Sequence, residues 1–227
     1  SGLERTLFLE ADRMGFLSGH LSQEMLERER GVVSNEKRQG ENQPYGRAFS
    51  RIVETIYPYS HPYSWSTIGQ MEDLQAATLE DVRAWYATYY GPNNCVLSLA
   101  GDITYERALG LTQKYFGSIP AGPPLPRLDT WVPRMESDVR DVMEDRVPQA
   151  RIYRVYHATP WGSPDLLDLQ LAAEALAGGK TSRLTRALVY EKELATGVSA
   201  STLDGEIAGG FLITVTVKPG VDPGQAE

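Results

Sequence analysis

The sequence predicts an α+β fold in which long helices pack on antiparallel sheet. Three observations carry that prediction. Apolar residues recur at helical spacing through the first half, behind recognisable cap residues. The second half opens and closes on near-alternating runs that read as strands. Between the halves, residues 118–135 hold five prolines (Pro120, Pro123, Pro124, Pro126 and Pro133) and read as an extended linker. The chain of 227 residues therefore divides into residues 1–117, the linker, and residues 136–227.

Leu3 to about Leu17 reads as the first helix, with Leu7, Leu9, Ala11, Met14 and Leu17 forming a broad apolar stripe. Ser22 is placed to cap a second helix that runs to about Gln39. Pro44-Tyr45-Gly46 opens a third, Arg47 to Ile56. Tyr57 to Ser66 is a loop rich in aromatic residues, which could pack among themselves or line a cleft. Thr78-Leu79-Glu80-Asp81 resembles a capping box and starts a helix with Val82, Trp85, Tyr86 and Tyr89 on its apolar side. Gly91-Pro92 stops it. Cys95 to Ala100 reads as a buried strand, and Thr104 caps a helix to about Phe116.

After the linker, Asp138 to Arg146 and Arg151 to His157 read as strands turned at Pro148. Asp165 to Leu176 is an amphipathic helix closed by Gly178-Gly179. A phosphate-loop reading of that glycine pair finds no P-loop lysine pattern, and a helix stop suffices. Thr181 caps a further helix to about Glu193. Thr196 to Leu203 and Gly210 to Val217 form a hairpin. Asp222 to Glu227 reads as the first turn of a helix that is cut off.

Composition excludes several classes. Hydrophobic residues make up 41% and charged residues 23%, an ordinary globular balance. The formal charge of −8, with no polybasic run, speaks against a nucleic-acid partner. No apolar run approaches the roughly 18 residues of a membrane span. The single cysteine, Cys95, excludes an internal disulfide and a thiolate metal cluster, and is expected to be a small buried hydrophobe.

The second helix carries the candidate chemistry. Glu29 and Glu36 stand seven residues apart, almost two full turns, so both carboxylates share one face. The Val32-Val33 pair between them is expected to look inward. Paired carboxylates beside apolar residues suit a metal site. They also suit a solvated face, because Glu24, Glu27, Arg28, Arg30 and Lys37 allow ordinary helical ion pairs. His61 reads as a packing or hydrogen-bonding residue rather than a ligand, and His20 and His157 read as structural.

The ordered set of segments Leu9-Glu10-Ala11-Asp12-Arg13-Met14, the Glu29/Glu36 helix with Asn35-Glu36-Lys37-Arg38-Gln39, Pro44-Tyr45-Gly46, His61-Pro62-Tyr63, Tyr89-Tyr90-Gly91-Pro92-Asn93-Asn94, Ala100-Gly101-Asp102, Gly178-Gly179 and Thr181-Ser182-Arg183-Leu184 resembles the insulinase/pitrilysin family of inverted zinc metallopeptidases. The resemblance is strongest to the bacterial zinc protease branch of small two-domain subunits. It implies two similar domains of the mitochondrial-processing-peptidase type, each an antiparallel sheet flanked by helices, both incomplete here. It further implies that two such pairs close like a clamshell around a peptide.

Carried over by position, Glu36 would be the third Zn2+ ligand and Glu29 would orient a ligand or the metal-bound water. The mechanism implied is attack by zinc-bound water on a polarised peptide carbonyl. The family takes its other ligands and its general base from an upstream His-x-x-Glu-His. None of His20, His61 and His157 is followed by Glu-His, and only 35 residues precede Glu36. The chain is therefore expected to be a fragment, inactive by itself and holding zinc weakly or not at all.

Active members also supply an Arg and, seven residues later, a Tyr for the substrate and the developing oxyanion. The matching positions here hold Val189 and Thr196. A sister subunit supplying Arg and Tyr in a heterodimer is the expected partner, with peptide as substrate. Exported bacterial relatives lean the location toward the periplasm. A non-catalytic scaffolding or chaperone-like subunit on the same fold is the competing expectation, and an unrelated α+β binding module is a third.

Overall fold

The computed structural model describes residues 2–227. Its helices are α1 (Gly2–His20), α2 (Gln23–Glu41), α3 (Ala48–Ile56), α4 (Met71–Ala76), α5 (Leu79–Tyr89) and α6 (Tyr105–Phe116), followed by α7 (Pro164–Ala177). Then come α8 (Arg183–Thr185), which runs on as a π-helical segment (Arg186–Glu191), and α9 (Pro223–Ala226). Strands β1 (Arg151–Ala158), β2 (Ala195–Leu203) and β3 (Gly209–Val217) form one antiparallel sheet in the order β1-β3-β2. None of the described helices is long and apolar enough to cross a membrane. The fold class is the α+β one that the sequence predicts.

The chain divides into two compact units. The first holds residues up to Glu36 together with Gly69–Arg127, and the second holds Lys37–Ile68 with Leu128–Glu227. The cap signals operate as read. The Met25 amide donates to the Ser22 hydroxyl at the start of α2 (3.2 Å). At α5 the Thr78 side chain accepts from the Asp81 amide while the Asp81 carboxylate accepts from the Thr78 amide. Thr104 accepts from the Arg107 amide at α6. The last long helix starts from Ser182 rather than Thr181, and the Ser182 hydroxyl donates to the Gly179 carbonyl (2.6 Å).

In the second unit the two faces of the sheet differ. Phe211, Val215 and Val217 of β3 are buried; Phe211 packs with Ala173, Leu169 and Leu176 of α7, and Val215 and Val217 pack with Leu188, Val189 and Ala226. On the other face, α3 covers only one end, where Val53, Ile56 and Tyr57 pack with Ala208 and Val155.

Two predicted strands are absent. Cys95–Ala100 pairs with nothing among the described residues; Cys95 is exposed and Val96 is 94% exposed. The expectation of a buried Cys95 is therefore wrong. Apolar alternation equips a segment for a sheet, but a strand forms only where a neighbour satisfies its amides and carbonyls. Asp138–Arg146 also lies outside the sheet. Side chains anchor it instead: Arg51 donates to the Asp141 carboxylate (2.5 Å) and so holds that carboxyl below its usual range, and Arg47 donates to the Glu144 carbonyl (3.0 Å).

Candidate functional site

Helix α2 is fixed in the first unit by Arg30. Its guanidinium donates to the carbonyls of Leu74 (2.9 Å) and Ala77 (2.5 Å), at the end of α4, and pairs with Glu27 (2.6 Å). Ser34, one turn on and buried, donates back to the Arg30 carbonyl (2.7 Å). The packed side of α2 is thus polar, made of Arg30 and Ser34 with half-buried Val33 and Leu26. The Arg30 bond holds the Glu27 carboxyl below its usual range.

Glu29 and Glu36 lie on the flank of that packed side, with about 20° of helical rotation between them. Both are exposed. Glu29 sits 3.4 Å from Arg28, and the Glu36 carboxylate makes no hydrogen bond or ion pair among the described residues. Val32 does not look inward as expected. It is 47% exposed, because the contacts of Arg30 select the packed face and turn position 32 away from it. The structure thus brings the two glutamates to one open face but brings no other ligand to them. Among the described residues no group of three or more His, Cys, Asp or Glu side chains is placed to hold a metal ion. Two carboxylates do not make a zinc site, which requires at least three protein ligands, so this chain's residues alone do not fit the ion.

His61 and His157 serve packing and hydrogen bonding, as read, whereas His20 does not pack. His61 is fully buried in the second unit, stacked on Tyr57 (4.5 Å between ring centres) and against Trp131 (4.6 Å). Its Nδ1 accepts from the Tyr63 amide (3.0 Å), and its Nε2 donates to the Trp131 carbonyl (2.8 Å). Both nitrogens are spent in one tautomer, which leaves none for a metal. His157, on β1, faces the carbonyls of Pro133 (3.0 Å) and Ile56 (2.8 Å). Burial, and then the neighbouring His61, hold its pKa below the usual histidine value. His20 is exposed at the end of α1. The aromatic loop is mainly a packing element, since Tyr57, His61 and Ser64 are buried, while Tyr59 points to solvent.

Val189 lies in the π-helical segment and packs against the Val215–Val217 cluster. Thr196 sits at an irregularity of β2 between Ala195 and Gly197, its hydroxyl near the Gln149 side chain (3.3 Å) and the Thr216 carbonyl (3.4 Å). Neither offers the strong donor of an arginine.

Sequence reasoning missed a second polar surface. On the face of the sheet that α3 leaves bare, Arg151 and Tyr153 of β1 lie beside Thr214 and Thr216 of β3 and Ser199 of β2, around an open depression of about 400 Å³. The Arg151 guanidinium lies 3.7 Å over the ring of Tyr45. The only hint in the sequence was the Pro44-Tyr45-Gly46 turn, whose partner is more than a hundred residues away.

Comparison with known proteins places this fold. The family described as "Peptidase M16 inactive domain" matches residues 76–227. The zinc protease PqqE of Helicobacter pylori is 30% identical over 97% of this chain and 50% of its own length. The mitochondrial-processing peptidase subunit beta of Neurospora crassa is 25% identical over 86% of this chain and 44% of its own. The crystal structure of a protease from Helicobacter pylori superposes with a TM-score of 0.79 at 28% identity, covering 98% of this chain and 54% of that one. The chain thus spans about half the length of the curated relatives it matches. From the fold, the ordered motifs and these matches together, the chain belongs to the peptidase M16 family, with the match to that family's inactive domain falling on residues 76–227.

Proposed function

We propose that this chain is part of a zinc-dependent endopeptidase subunit that hydrolyses peptides or unfolded polypeptide within an enclosed chamber. The observation that carries the reading is the open carboxylate face of α2, where Glu36 stands without a protein partner among the described residues. A glutamate kept free beside an anchored, polar helix face is available as a ligand. The likeness to the zinc protease PqqE supports the same reading. Glu36 then serves as one zinc ligand, Glu29 positions a neighbouring ligand, and the remaining ligands come from outside the described residues. Val189 and Thr196 support a heterodimer in which a sister subunit brings the Arg and Tyr donors. An exported, periplasmic location accords with this reading.

The second reading is a non-catalytic scaffolding or chaperone-like subunit on the same fold, favoured by the match to an inactive domain. Zinc content and peptide hydrolysis of the complete protein, with and without Glu36→Gln, separate the two. A peptidase binds about one zinc per subunit and loses it in E36Q, while E29Q weakens binding by about 10- to 100-fold. A zinc-free complete protein that is indifferent to E36Q would establish the scaffold. Full peptide cleavage by the purified subunit alone would remove the sister subunit from the account.

A further inference from the structure

The open depression on the sheet of the second unit is a built surface with an unused charge. We propose that it binds extended polypeptide and that Arg151 reads an acidic side chain of the bound segment, making Arg151 a specificity-determining residue.

Register places the parts. Arg151 pairs across to Thr216, and Tyr153 to Thr214, which in turn faces Ser199. These side chains therefore stand on one face of three adjacent strands. The helices of the unit fill the opposite face, and α3 covers this one only from Val155 onward. What remains is a depression of about 400 Å³, open along the sheet, in which the hydroxyls of Tyr153, Ser199, Thr214 and Thr216 stand among apolar surface that includes Gly197 and Val198. Hydroxyls both donate and accept, and so suit a peptide backbone of any sequence.

Arg151 supplies the selectivity. No carboxylate lies within ion-pair distance of it among the described residues, in a chain whose net charge is −8. It is held instead by the π-face of Tyr45, which orients the guanidinium without neutralising it. Tyr45 is itself held deliberately. Its backbone is left-handed (φ 65°), a conformation rare for an aromatic residue, and its hydroxyl donates to the Gln149 carbonyl (2.8 Å). The next residue must be glycine, because a Cβ at Gly46 would come within 2.0 Å of the Gly40 carbonyl oxygen. A strained turn thus spends its strain on placing one ring beneath one guanidinium. The planar fork of an arginine matches a carboxylate in a bidentate pair. A single cation on an acidic chain does not suit a polyanion such as nucleic acid. The chemistry therefore points to a peptide bearing an Asp or Glu. Only the polypeptide nature of the occupant rests on the peptidase reading above; the carboxylate preference follows from Arg151.

The test measures binding without cleavage. A fluorescein-labelled flexible peptide with one central Asp, and its Asn counterpart, are titrated with this chain in the presence of EDTA at low ionic strength. The Asp peptide is expected to bind about fivefold more tightly, in keeping with an exposed ion pair, and the preference should fade as salt rises. Arg151→Gln should abolish the preference while leaving the Asn peptide unaffected, and Tyr45→Phe should keep it. Amide signals of residues 151–153, 199 and 214–216 should shift with the Asp peptide, which also reports that the variants remain folded. Equal affinity for the two peptides, or shifts confined to other residues, would overturn the proposal. Because metal is chelated throughout, that outcome would leave the zinc reading intact, and a zinc-free protein would leave this one intact.

Discussion

The two units are built from the same kinds of helix, yet they bury very different amounts of themselves. Of the buried residues, only Leu7, Ala11 and Ser34 belong to the first unit, whereas the second holds three hydrophobic clusters around a sheet. In the first unit Phe8, Leu9, Phe16 and Trp85 are exposed on amphipathic helices, and the strand-like segment after Cys95 has no ladder. The difference teaches which structure is self-sufficient. A helix satisfies its backbone from within one segment, so caps and propensity suffice to form it. A strand depends on a neighbour, and a helix face depends on something to cover it.

Three measurements can break or sharpen this contrast. The largest effect is expected in amide hydrogen exchange. Residues 96–100 form no backbone ladder and should exchange orders of magnitude faster than β3, which pairs on both sides. Comparable protection in the two would show that the segment after Cys95 is paired after all.

Next come two identical substitutions in unlike settings. Phe211→Ala, at a position 8% exposed between the sheet and α7, should cost about 3–5 kcal/mol in denaturant unfolding. Phe16→Ala, at a position 58% exposed on α1, should cost within about 0.5 kcal/mol of nothing. Equal costs would mean that the first unit has a core of its own.

The smallest effect concerns acid. His157 has a folded pKa below its unfolded value, through burial first and His61 second. Its contribution to stability is therefore fully present above the ordinary histidine pKa of about 6.5 and is lost as pH falls through the lower folded value. The two facing carbonyls oppose that loss, since an imidazolium could donate to both. His157→Gln should flatten the acid side of the stability profile of the second unit. An unchanged profile would show that the carbonyls cancel the burial, and a steeper one would reverse the sign.

Much of the fold was legible because it is local. Ser22, Thr78 and Thr104 cap where the sequence places caps, and the alternation in β1, β2 and β3 marks the sheet. Helix α4, six residues long, was missed because so short an element shows no period. The π-helical turn after Arg183 has no sequence signature. At the candidate site, the shared face of Glu29 and Glu36 followed from helical geometry alone. The exposure of Val32 did not, because Arg30 reaches carbonyls 44 and 47 residues away and so decides which side of α2 is packed.

The sequence by itself determined the longer helices, the caps at Ser22, Thr78 and Thr104, the alternation of β1, β2 and β3 and the family resemblance, since each depends on residues a few positions apart. Only the tertiary structure decided which apolar segments find strand partners, which side of α2 is left to solvent, that His61 and His157 are spent on carbonyls and ring stacking, and that Tyr45 lies under Arg151. Those outcomes depend on groups separated by tens of residues or more, brought together by burial and hydrogen bonding that no local spacing encodes.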